Sequence, residues 1–278
     1  MDTGELFEEI TMCELFGMSS RLPATVNLSL ETFARHGGQT DHHKDGWGVA
    51  WFAQDDALVI REPRAAASSA QMHFVSTQDF ESTFVLSHIR RATVGELALR
   101  NTQPFSRELG GRLHVFAHNG MLEGLWDRYT LSGRFQPLGE TDSEYAFCLL
   151  MDRMAAIWQD RRSPPGTQAR LEIFQTFVKE MAELGPANFI YSDGEVMLAH
   201  ANRRTHPDGI HPPGLYYLCR KCESEPKPVD TTSLRISTLA DSQDIVLLAS
   251  VPLTEEHWSA VGEGEVLMLE RGMVVSKN

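Results

Sequence analysis

Short runs in which apolar and polar residues alternate recur along nearly the whole chain. Trp47–Ala53, Leu58–Arg61, Thr83–Ile89 and Leu113–His118 come first. Asn188–Tyr191, Val196–Ala199, Leu215–Leu218, Ile245–Ala249, Val266–Leu269 and Met273–Val275 follow. A period of two sends successive side chains to opposite faces of an extended chain, and Gly, Asp, Asn or Pro bounds each run. These runs therefore predict strands. Asp193-Gly194 stands between two of them and predicts a hairpin, because that dipeptide readily adopts the positive φ angles of a tight turn.

Three segments carry the longer helical period instead. Leu28–His36 ends at Gly37-Gly38, a stop signal. Asp142–Trp158 opens on a capping residue, with Tyr145, Leu149, Asp152 and Ala156 marking its turns. Leu171–Leu184 gathers Ile173, Phe174, Phe177, Val178, Met181 and Leu184 on one face and stops at Gly185-Pro186. Between the last two helices, Arg161–Gly166 reads as a surface loop. Many strands, few helices and no regular β–α alternation predict an α+β fold with antiparallel sheets.

Composition narrows the function. With 278 residues the chain can form one large domain or two small ones. Its 25 basic and 38 acidic side chains give a net charge of −13, which argues against nucleic acid or an anionic membrane as partner. Any basic residue that matters must act individually. The apolar stretches are strand-sized, well below the roughly 20 residues of a bilayer-spanning helix. Asp2, Glu5, Glu8 and Glu9 near the start, without Lys or Arg, are unlike a secretory signal. Four cysteines are too few for a disulfide scaffold at this length. The expected location is the cytoplasm.

Few residues offer chemistry. Cys219 and Cys222, with His206 and His211 upstream, have the outline of a zinc site but lack the regular spacing of four ligands. Two partly buried thiols in a strand and its turn is the better reading, and no metal or cofactor is expected. His42-His43 reads as a loop feature, and Cys148 as a small core residue. Cys13 follows Met12, a second candidate translation start. Were Met12 removed, the α-amino group of Cys13, titrating near pH 8, could take the proton of its own thiol. The alternative is a core cysteine at the start of a first strand. Arg90 stands just past the end of one predicted strand, and Asn119-Gly120 closes another. Asn-Gly there is either a turn or a side-chain amide plus a backbone N–H, the two donors of an oxyanion hole. Asp142 is placed as a helix cap.

In order, these pieces resemble the class II glutamine amidotransferases. The resemblance rests on Met12-Cys13-Glu14-Leu15-Phe16-Gly17, His43-Lys44-Asp45-Gly46-Trp47-Gly48 and His88-x-Arg90-x-Ala92-x-x-Gly95. It is completed by His118-Asn119-Gly120 and Glu140-Thr141-Asp142-Ser143-Glu144, so that it runs from Met12 onward. The chain looks most like the short, stand-alone bacterial members and the fungal γ-glutamyl hydrolase that degrades glutathione. The resemblance implies a four-layer αββα sandwich of the N-terminal-nucleophile hydrolase type, with residues 13–278 as the amidotransferase domain. It implies Cys13 as nucleophile toward the γ-amide of glutamine or another γ-glutamyl compound, through a thioester. Asn119 and Gly120 would hold the oxyanion, Arg90 the substrate α-carboxylate and Asp142 its α-ammonium group. The Asp45–Gly48 loop and Gln103-Pro104-Phe105 would form the pocket wall.

Two departures qualify the expectation. Residues 1–12 precede Cys13 and, while attached, make its nitrogen an amide. They read as an early-called start or a propeptide. Arg91 and Val94 stand where members with attached synthase domains usually carry an aromatic residue and often a histidine. Since the domain fills the chain, an ammonia acceptor or a peptidase would be a separate subunit. A homo-oligomer is compatible with all of this. The competing expectation is a non-catalytic glutamyl-binding or partner subunit with a blocked N-terminus.

Overall fold

In the computed structural model, the described residues are 13–28, 45–65, 69–90, 96–158, 163–206, 208–223, 229–230, 234–237 and 242–278. Every predicted strand is present. β1 (Glu14–Leu28), β2 (Trp47–Ala53), β3 (Asp56–Glu62) and β4 (Glu81–Ile89) precede β5 (Phe105–Leu109) and β6 (Arg112–Gly120). β7 (Ala187–Ser192) and β8 (Met197–His200) form the expected hairpin, with Ser192 opposite Met197 and Gly194 at φ +84° in its turn. A small ribbon, β9 (Arg204–His206) with β10 (Gly209–His211), precedes β11 (Tyr216–Glu223), β12 (Val229–Asp230), β13 (Leu234–Ser237) and β14 (Ser242–Ala249). β15 (Ser259–Ala260), β16 (Val266–Glu270) and β17 (Met273–Lys277) complete the set.

These strands make two antiparallel sheets. The first runs β15-β11-β14-β1-β4-β2-β3, with β13 pairing the far part of β1 and β12 pairing β13. The second runs β17-β16-β8-β7-β6-β5. Alternation along each strand decides what meets what. Leu15, Ala50, Phe52 and Leu86 of the first sheet pack against Val115, Ala117, Ile190 and Met197 of the second, forming the inter-sheet core. Phe16, Met18, Val49, Trp51 and Val85 face the other way, under α1 (Ala70–Thr77), whose Met72 and Val75 cover them. The outer face of the second sheet is covered by α3 (Asp142–Ile157) and α4 (Thr167–Ala182), through Phe147, Met151, Phe174 and Phe177, and the one-turn α2 (Leu125–Arg128) precedes them. Helix, sheet, sheet and helix layers are thus the αββα sandwich. Each large apolar side chain buried in it contributes roughly 1.5–3 kcal/mol relative to exposure.

The differences from expectation have local causes. Leu28 ends β1 rather than starting a helix; residues 29–36 of that predicted helix lie outside the described residues, as do His42-His43 and residues 1–12. β1 escapes the alternation pattern because Ser19–Pro23 interrupts it, where its register with β4 shifts. The cap of α3 is Thr141, whose Oγ1 accepts from the Glu144 N–H at 3.2 Å; Asp142 is the first helical residue, so its carboxylate is not needed as a cap. Cys219 lies exposed within β11, which also contains Cys222, and not in a strand and its turn. Cys148, on the buried face of α3, is fully enclosed in the core, as expected. Among the described residues, no helix is long and apolar enough to cross a membrane, and no group of three or more metal-binding side chains occurs.

Candidate active site at the head of the sandwich

Antiparallel pairing brings the start of β1 beside the end of β4. Glu14 lies opposite Ile89, so Cys13 and Arg90, the next residues outward on each strand, become neighbours. The end of β6 lies above them in the second sheet, and the first turn of α3 approaches from the outer layer. At this junction is a cavity of about 220 Å³. Cys13, Arg90, Gly120 and Asp142 line it together with Gln103 and His118.

Each group is held by a separate device. The Arg90 backbone N–H donates to the Gly46 carbonyl at 2.8 Å, and its Nη1 donates to the Glu96 carbonyl at 3.2 Å. Burial pulls the guanidinium's pKa down, while nearby Cys13 and Asp45 oppose that shift. Asn119 Nδ2 donates to the Cys13 carbonyl at 2.5 Å and lies 3.4 Å from Ser250 Oγ. The Asn119 carbonyl in turn accepts from Asn188 Nδ2 at 3.0 Å. Gly120 is not in a turn: it is paired with Ala187 across β6 and β7. A Cβ there would sit 1.8 Å from the Pro186 carbonyl oxygen, so close approach of the backbones demands glycine. The Asp142 carboxylate accepts from the Leu122 N–H at 2.8 Å and from the Ser143 N–H at 2.8 Å, at the positive end of the α3 dipole.

The wall behind these groups is largely polar and neutral. Gln103 grips the His118 backbone with both ends of its amide, Nε2 to the carbonyl at 3.0 Å and Oε1 from the N–H at 2.6 Å. Of the expected wall segments, Gln103 faces the cavity. Phe105 is buried in the core under α3, and Gly48 backs onto the Gln103 carbonyl, where a Cβ would stand 2.3 Å away. His118 Nδ1 lies 2.9 Å from Ser143 Oγ, and its ring stacks on Phe189 at 4.7 Å. Burial lowers the His118 pKa against the opposing pull of Asp142. His88, wholly buried, is lowered to about 3, chiefly by burial and further by His118 and Arg90. Both imidazoles are therefore neutral. Sequence reasoning did not give His118, Asn101, Leu122, Trp126 or Ser143 a place in the cavity wall. His118 and Ser143 did stand inside quoted motifs.

A thiol, a cation, an anion and amide donors around one small cavity suit an amino-acid head group with a carbonyl near the sulfur. Facing antiparallel sheets between helical layers, with a cysteine at the head of a central strand, define the N-terminal-nucleophile hydrolase architecture. Within that class the chain belongs to the class II glutamine amidotransferases, whose family model matches residues 12–278. It is 34% identical over 271 residues to a Haemophilus influenzae protein named "Putative glutamine amidotransferase", covering 96% of this chain and 87% of that one. A Saccharomyces cerevisiae protein named "Probable glutamine amidotransferase DUG3" is 24% identical over 284 residues, 90% of this chain and 76% of the other. A crystal structure titled as a predicted glutamine amidotransferase from Pseudomonas aeruginosa PA01 matches with a TM-score of 0.70. The two share 30% identity, over 95% of this chain and 100% of that one.

Proposed function

We propose that the protein is an N-terminal-cysteine amidohydrolase acting on glutamine or another γ-glutamyl amide, with residues 13–278 as the catalytic domain and residues 1–12 removed. The observation that carries this reading is the convergence of Cys13, Arg90, Gly120 and Asp142 on one cavity, with the Asn119 amide bonded to Cys13. Once exposed, the α-amino group of Cys13 takes the thiol proton, and the thiolate attacks the γ-carbonyl carbon. The second N–H of Asn119 Nδ2 and the Gly120 N–H hold the resulting oxyanion. Removing one such donor typically costs about a hundred- to a thousandfold in rate.

Collapse breaks the C–N bond, and the α-ammonium group returns its proton to the departing ammonia or amine. Water then cleaves the thioester to free glutamate and the thiol. Arg90 presents a two-pronged guanidinium to the α-carboxylate, and Asp142 pairs with the α-ammonium of the substrate. This head-group selection serves glutamine, glutathione and other γ-glutamyl amides alike, because only the leaving group differs.

The test compares the chain as written with one starting at Met12, its methionine trimmed. Each is assayed for glutamate release from glutamine, glutathione and a γ-glutamyl anilide. Turnover only in the Cys13-started form, lost in Cys13→Ala, is the expected result. No turnover by either folded form would leave a glutamyl-binding subunit as the function.

A further inference from the structure

Ser250, one residue past β14, touches the site from behind. It is fully buried, and the sequence pattern gives no reason to single it out. β14 pairs with β1 through Phe16 opposite Ala249, so Leu15 and Ser250 are the next pair in the ladder. An antiparallel pair of this kind would normally exchange two backbone hydrogen bonds. One is present: the Ser250 N–H donates to the Leu15 carbonyl at 3.0 Å. The other is replaced. The Leu15 N–H donates to Ser250 Oγ at 3.0 Å, and the Ser250 carbonyl accepts from Arg204 Nη1 at 3.0 Å instead. The substitution places a hydroxyl, where a carbonyl would otherwise do, 3.4 Å from Asn119 Nδ2.

We infer that Ser250 is a positioning residue for the oxyanion donor, fixing the Asn119 amide against the strand that begins after Cys13. Resting on the proposed catalytic reading, the inference adds a residue that no motif contains. Asn119 Oδ1 is buried without a hydrogen-bond partner among the described residues, so it does not hold the amide plane. The plane is set at Nδ2, by the Cys13 carbonyl on one hydrogen and Ser250 Oγ near the other. The first contact is short and strong. The second is long and weak, so this N–H can be shared between the hydroxyl and a developing oxyanion at little cost. Arg204, reaching in from β9, braces the Ser250 backbone and so ties the small ribbon to the site.

The test uses the chain starting at Cys13. Ser250→Ala is expected to lower kcat for glutamine about tenfold, from misorientation of one donor, and to leave KM within about twofold. In an Asn119→Ala background the same change is expected to cost nothing further. An unchanged kcat, or an equal loss in both backgrounds, overturns the inference. A second measurement does not depend on turnover. The side-chain NH₂ resonances of Asn119, identified by their loss in Asn119→Ala, should shift or broaden in Ser250→Ala. If they stay unchanged while the protein remains folded, Ser250 does not position the amide. Absence of turnover in the parent chain would instead count against the catalytic reading, and the resonance test would still decide the placement.

Discussion

Glu14 follows Cys13 directly and is almost wholly buried, with neither carboxylate oxygen hydrogen-bonded among the described residues. Burial pushes its pKa up to about 8, against the opposing pull of Arg204. In the folded protein the group is therefore neutral at pH 7, whereas the unfolded chain releases the proton near 4.5. The folded state binds the extra proton throughout that interval, so stability falls as pH rises from about 4.5 to 8, by roughly 1.4 kcal/mol per pH unit at most. Glu14→Gln keeps the shape and cannot ionise. Its Tm should be close to the parent's at pH 5 and exceed it increasingly toward pH 8. A variant less stable than the parent at pH 8 would mean that Glu14 is ionised and paired with Arg204. Each of the five expected site residues stands in a short motif, and four of them, all but Asn119, line the cavity. Glu14 stood in the opening motif too, but its burial depends on elements far away in sequence.

The first turn of α3 shows how an element carries a site residue. Thr141 caps the helix, and Glu144 reaches back past it to accept from the Gly139 N–H at 2.7 Å and to pair with Arg107 at 2.5 Å. The loop before Asp142 is thus tied down from both sides, and the carboxylate is free of capping duty. Thr141→Ala should cost about 1 kcal/mol in urea unfolding. It should also raise KM for glutamine severalfold with little change in kcat, because Asp142 is proposed to bind and not to react. Equal loss of kcat would point to a wider collapse of the site. The helix itself was legible from its apolar period, and so was the second, although that one begins at Thr167, ahead of the predicted Leu171. Short elements were less visible. β9, β10, β12 and β15 span only two or three residues each, too few for a period to emerge.

At the scale of the whole molecule, stacked aromatic rings join the second sheet to the helix layer. Phe116 of β6 and Phe147 of α3 lie 5.1 Å apart at an interplanar angle of 5°. Both are fully buried. Phe147→Ala should therefore destabilise the protein by roughly 3–5 kcal/mol in urea unfolding, since the stack leaves a cavity that its neighbours only partly fill. A loss below about 1 kcal/mol would show that the layers are joined elsewhere.

The sequence by itself determined ten of the strands, the two long helices, the α+β class and, through ordered motifs, the family and its expected site residues. These are local properties, written in alternation, turn residues and short spacings. The tertiary structure alone decided that Cys13, Arg90, Gly120 and Asp142 meet around one cavity. It also decided that Gly120 is required by the approach of Pro186, and that Ser250 lies behind Asn119. Those relations join residues more than 20 positions apart, and their distances are set by strand register and layer packing, which no local pattern encodes.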